Sequence, residues 1–215
     1  SSSFYDLETI FRLFPHLEHL TGNSLTKANH LEFLKPNGDH SRPAQLRSFQ
    51  VYIEDLQTAD SFSFLPAVFN EASKLERLTL IYHPHAAVLD AAIVTSMITH
   101  IPESIRPKVD KFLLVLENQP LKKEFIAELV RAFPNIKFFK CNDDQKPNQD
   151  VRDIGEESVF LPLQGLKHLY WIDLYSIHRK GTFCTEKSYQ AIGSIATLQH
   201  LEVHNFPIPD IRPLV

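Results

Sequence analysis

Leu75-Glu76-Arg77-Leu78-Thr79-Leu80 decides the reading of this chain. Its apolar residues stand first, fourth and sixth, with polar residues between, and the stretch predicts a short strand with one apolar face. Stretches of the same form recur at Leu17–Gly22, Leu46–Val51, Val109–Leu114, Ile136–Cys141, Leu169–Leu174 and Leu198–Val203. Their first residues are 17, 46, 75, 109, 136, 169 and 198, in steps of 29, 29, 34, 27, 33 and 29. A near-constant period in this range predicts a stack of similar units, each leaning on its neighbours, rather than an ordinary globule.

Between the strand stretches the period changes to that of a helix. Phe4, Leu7, Phe11 and Phe14 share one face ahead of Pro15, with Ser3 placed to cap the start. Lys122 to Phe133 carries Phe125, Leu129 and Ala132 and ends at Pro134. Phe62 to Ala72 carries Phe62, Leu65 and Phe69, and Glu186 to Ala196 carries Tyr189, Ile192 and Ala196 after a capping Thr185. Ala86 to His100 also reads as helical, with Leu89, Ile93 and Met97 aligned. Helix, tight turn, strand is the expected unit. Thr26 to Pro43 departs from it, with a turn at Pro36-Asn37-Gly38-Asp39. So does Asn142 to Ser158, where six acidic residues face only Lys146 and Arg152. That stretch reads as a solvated loop, because the fixed ligand spacing of a calcium loop is missing.

The bulk composition agrees with one stacked body over residues 1–215. Apolar residues make up 43 % of the chain, and 22 basic against 26 acidic residues leave a formal charge of −4, with no general pull toward nucleic acid or anionic lipid. Cys141 falls in an apolar strand slot and Cys184 in a loop-like stretch. A disulfide framework is not expected, and no Asn-x-Ser/Thr acceptor occurs, so a cytoplasmic or nuclear home is expected. No signal peptide or apolar run long enough for a bilayer is seen. Neither end shows the polar capping unit that a solenoid needs, so the chain is expected to be a fragment of a longer protein.

The Leu-x-x-Leu-x-Leu pattern, complete at Leu75, Leu78 and Leu80 and met with apolar substitutions in five other units, resembles the leucine-rich repeat family. The first unit has Gly22 in its last slot. The Asn usual to the family three places after the last Leu is missing, and that slot holds His83, Glu54 or Phe206. The long, uneven period with helices looks most like the repeat region of F-box and ribonuclease-inhibitor-type proteins. The resemblance covers about Phe4 to Phe206. It implies an α/β leucine-rich-repeat solenoid of about seven irregular repeats, with a curved parallel sheet on the concave side and helices and loops on the convex side. It also implies a non-enzymatic protein–protein interaction module, and by analogy the substrate-recognition part of an F-box ubiquitin-ligase receptor.

Catalytic patterns are absent: no phosphate loop, no Gly-x-Ser-x-Gly, no His-Glu-x-x-His and no Cys-x-x-Cys, with only six glycines in the chain. No enzyme activity and no cofactor are expected. Among the 11 His, His83 and His85 alternate, as do His200, Glu202 and His204 along one strand. Alternation spaces them roughly 7 Å apart, wide for shared ligation at metal bonds of ~2 Å, so no metal site is expected. Scattered basic residues such as Lys137 and Lys140 form no basic-aromatic stripe, and no nucleic acid partner is expected.

Strand side chains alternate, so residues between the apolar slots point to the concave face. The first two units place His19, Thr21, Asn23, Ser48, Gln50 and Tyr52 there. The later units place Leu113, Val115, Phe138, Trp171 and Tyr175, an apolar cluster unusual for a surface. Trp171, Phe138 and Tyr175 are expected to anchor a protein or peptide partner. Leu113 and Val115 extend the patch, His200 belongs to the same partner site, and Asp173 and Glu202 form a charged edge that selects basic groups. The alternative is a structural or regulatory segment whose concave face is filled internally, for instance by the Asn142–Ser158 loop.

Overall fold

The computed structural model describes residues 13–21, 45–53, 69–70, 72–83, 89–116, 121–143, 158–176 and 186–205. The expected helices at Phe4–Phe14 and Phe62–Ala72 lie outside these residues except at their ends. The Thr26–Pro43 stretch, residues 144–157 of the acidic loop, Asn23, His85, Cys184 and Thr185 also lie outside them.

Seven strands form one sheet: β1 (His19–Leu20), β2 (Ser48–Ile53), β3 (Arg77–Tyr82), β4 (Val109–Leu116), β5 (Phe138–Asp143), β6 (Trp171–Ser176) and β7 (His200–His204). They lie in sequence order and every pair is parallel. Parallel neighbours need a crossover connection, and crossovers keep one hand. Since every step moves to the next strand in the same direction, the described crossover helices fall on one side. Three helices occupy crossovers among the described residues: α1 (Ala91–His100), α2 (Lys123–Ala132) and α3 (Glu186–Gly193). Short 3-10 turns at Arg106–Lys108 and Leu161–Gly165 complete two of the passages.

The alternation along the strands follows from this one-sided cover. All-parallel sheets are ordinarily buried on both faces and read as continuous apolar runs. Here β2 alternates strictly between half-buried and buried positions. Its buried residues Phe49, Val51 and Ile53 continue into Leu78, Leu80 and Tyr82 of β3, then Phe112, Leu114 and Leu116 of β4. Phe139 and Cys141 of β5 and Ile172 and Leu174 of β6 prolong the same layer. Cys141 is buried in the slot expected for it. The Phe112 and Phe139 rings stack at 6.3 Å across adjacent strands. Phe125 of α2 packs on this layer against Tyr82 and Phe112, and Phe160 packs edge-on against Phe139.

The helices begin and end where their sequences dictate. The Asp90 carboxylate accepts from the Ala92 N–H and caps α1, and the Arg106 guanidinium donates to the last carbonyls, Ile98 and Ile101. Glu124 in the first turn of α2 and Arg131 in its last suit the helix dipole. α3 stops at Gly193, short of the expected Ala196, because the chain turns there: Ser194 Oγ donates to the Ala191 carbonyl and Ile195 N–H to that of Ile192.

Five of the six strand pairings have the register that the period predicts. Phe49 pairs with Leu78, Phe112 with Phe139, Phe139 with Ile172 and Ile172 with Leu201, and His19 with Ser48. A shared strand entry accompanies this. The carbonyls of Glu18, Arg47, Lys137 and Tyr170 each accept two successive N–H groups from the next unit. The step from β3 to β4 differs. Leu78 pairs with Val109 but Thr79 with Lys111, so Asp110 is an extra residue and Leu80, not Leu78, meets Phe112. The motif alignment of these two units is therefore two residues out of step with the sheet.

Candidate partner-binding face

The sheet face away from the helices carries the predicted site residues, and the register arranges them in rows across β4 to β7. One row is Lys111, Phe138, Trp171, His200. The next is Leu113, Lys140, Asp173, Glu202, and the third is Val115, Asn142, Tyr175, His204. Phe138 and Trp171 meet edge to face at 5.5 Å, and Trp171 meets the His200 ring at 5.2 Å. Lys111 Nζ stands 5.8 Å from the Phe138 ring centre, within cation–π reach. Tyr175, more exposed than Trp171, lies 5.9 Å from the His204 ring. The structure thus brings Phe138, Trp171 and His200 into contact. Leu113 and Val115 sit on the same face in the two other rows, so the apolar residues are interleaved with polar ones rather than joined in one patch.

Asp173 departs from the expected exposed edge. It is only 7 % exposed, and Lys140 Nζ donates to its Oδ2 at 2.5 Å. Lys140 is thus a partner in an ion pair, where a solvated strand residue was expected. Glu202 and His204 are exposed and turn toward each other, with His204 Nε2 3.5 Å from Glu202 Oε2. The expected separation of about 7 Å applies to backbone positions, and these longer side chains close it. Among the described residues, the buried atoms Trp171 Nε1, Asn142 Oδ1 and Asp173 Oδ1 on this face have no hydrogen-bond partner. Unpaired buried polar groups of this kind are uncommon and costly.

A pocket of about 280 Å³ lies over β2 to β5, with Ser48, Gln50, Arg77 and Thr79 on one side and Asp110, Lys111 and Phe138 on the other. Burial pushes the Asp110 carboxyl above its usual range, opposed by the nearby charges of Lys111, Arg77 and Lys137. Reading single strands missed Asp110, the Lys140–Asp173 pair and the approach of Asp173 to Glu202. The period contained a signal for the last: Asp173 and Glu202 hold the same place in successive units and are register partners.

The chain matches no family model, no curated protein and no solved structure. No helix among the described residues is long and apolar enough to cross a membrane.

Proposed function

We propose that this chain is a leucine-rich-repeat-like solenoid that works as a non-enzymatic interaction module, holding a protein or peptide on the helix-free face of its sheet. The observation that carries the reading is the row Phe138, Trp171, His200: aromatic rings in mutual contact on a face that no described helix covers. Large aromatics set among polar neighbours are the usual make-up of binding hot spots. The orphaned Trp171 Nε1 and Asn142 Oδ1 supply one donor and one acceptor for a ligand's amide groups once side chains shift. The face is large enough. The six strands β2 to β7 at ~4.8 Å spacing span about 24 Å, and roughly six residues per strand give about 20 Å along it. With side-chain relief, that approaches the ~800 Å² per partner of a stable interface.

The test is capture by the immobilised chain, compared between wild type and Trp171→Ala. Proteins retained by wild type and lost from the variant, with the melting temperature nearly unchanged, support the reading. A second reading, in which the face is filled from within the protein, is favoured by the burial of Trp171 Nε1. On that reading Trp171→Ala lowers stability by several kcal/mol, as truncation of a packed aromatic does, and capture does not change.

A further inference from the structure

The geometry points to a divalent transition-metal site at the β6–β7 corner of the open face, formed by Asp173, Glu202 and His204. A carboxylate oxygen from each acid and a ring nitrogen of His204 lie within 4.8 Å of one another. Two structural relations bring them together. Asp173 and Glu202 are register partners on adjacent parallel strands, and His204 follows Glu202 by two residues on the same face. Ligand atoms around an ion with bonds of ~2.0–2.2 Å stand about 3.3–3.6 Å apart in a tetrahedral shell. The 3.5 Å between His204 Nε2 and Glu202 Oε2 already has that value. Both side chains are exposed, so side-chain rotation closes the remaining gap to Asp173 without movement of the sheet.

Asp173 supplies a separate observation. It is 7 % exposed, its Oδ2 is engaged by Lys140, and its Oδ1 is buried with no hydrogen-bond partner. A buried carboxylate oxygen left unpaired is costly, and a bound cation removes that cost. Within this corner one lysine faces two carboxylates, which leaves a net negative charge with His204 neutral. Solvent does not reach Oδ1, which favours a small ion over the bulky guanidinium of a partner arginine. The donor set names the class of ion. An imidazole with two carboxylates suits zinc, cobalt or manganese, whereas calcium and magnesium take all-oxygen sets. Three protein ligands leave at least one coordination position open. Lys140 opposes the ion from the far side of Asp173 and holds the affinity down.

The experiment is calorimetric titration of the 215-residue chain with Zn²⁺ alone, repeated with Co²⁺ while recording its visible spectrum. The chain carries 11 His, so variants are the deciding measurement. His204→Ala and Glu202→Gln change exposed side chains and leave the melting temperature in place. Each removes a direct ligand and should weaken one equivalent of zinc binding by roughly a hundredfold or more, since loss of an outer-shell partner alone costs metal sites about 10–100-fold. The Co²⁺ absorption should disappear in both, and Lys140→Gln should tighten binding several-fold. Identical titrations in wild type and both ligand variants overturn the assignment. It is equally overturned if zinc has no effect while an oligoarginine peptide binds wild type and not the variants, which makes the corner an acidic docking point.

Discussion

Phe125→Ala tests which face of the sheet is covered, on which the placement of the binding face depends. Phe125 is fully buried in α2, with its ring 6.3 Å from Tyr82 on β3 and 6.4 Å from Phe112 on β4. One side chain therefore ties a helix to two strands. Truncating a buried Phe costs about 3–5 kcal/mol, and each aromatic contact adds ~0.5–1.5 kcal/mol beyond its area. The better helix propensity of Ala returns only about half a kcal/mol, so the expected loss is about 4–6 kcal/mol. For a chain of this length each kcal/mol lowers Tm by roughly 2–4 °C, which predicts a fall of about 10–20 °C. The comparison is Phe138→Ala on the open face, whose ring contacts among the described residues are with Trp171 and Lys111, worth about 1–2 kcal/mol. Urea unfolding of both variants should show separated midpoints at similar slopes. A Phe125→Ala loss within about 1 kcal/mol of wild type, or a reversed order of the two variants, refutes the one-sided core.

Asp110→Asn should stabilise the chain at neutral pH. Because burial raises the folded-state pKa of this carboxyl, the folded protein holds the proton more tightly than the unfolded chain does. Its favourable contribution is therefore present in acid and is lost as pH rises through the folded-state value. The gain from Asn should shrink to nothing on acidification, and melting curves across pH check this; a gain constant with pH refutes it. Gly193→Ala should raise stability by about 0.4–1 kcal/mol, because this helical glycine has ordinary φ and an added Cβ meets nothing within 4 Å; any loss of stability contradicts the α3 boundary.

The fold was legible because burial is one-sided. Where one face of a parallel sheet is covered, each strand must alternate, and the apolar slots at Leu75, Leu78 and Leu80 recur with the strand. All seven stretches carry strands in the sheet, and Cys141 took its apolar place at no cost in recognition. The helix at Lys122–Phe133 differed by one residue at each end from α2. The open face was legible residue by residue but not in its contacts. Trp171, Phe138, Tyr175, Leu113, Val115, Asp173, Glu202 and His200 all lie on strands β4 to β7 and outside the core layer. Their neighbours are set by register across strands, and Asp173 shows the difference. Its sequence neighbours Ile172 and Leu174 mark it as outward, while Lys140, 33 residues earlier, decides that it is buried and paired.

Asp110 shows how one inserted residue changes what a face can do. The bulge between β3 and β4 leaves it without a register partner, and bulges characteristically re-aim a side chain and increase local twist. Here the displaced carboxyl lines the pocket with Arg77 and Lys111, half-removed from water among three positive side chains. Past the insertion Lys111 lies opposite Thr79 and Leu113 opposite Ile81, two residues from where motif alignment puts them, against three at the Leu78–Val109 pair before it. Everything from β4 onward is thereby shifted along the strands relative to β2 and β3. The polar residues Gln50 and Thr79 consequently enter the same cross-strand row as Phe138, Trp171 and His200. A ligand lying along that row would pass from the Asp110 pocket over Lys111 to the aromatic rings, meeting a carboxylate, an ammonium and then the rings of Phe138 and Trp171 in order. The β3–β4 bulge, rather than any one repeat, joins the polar and aromatic halves of the face into one continuous row.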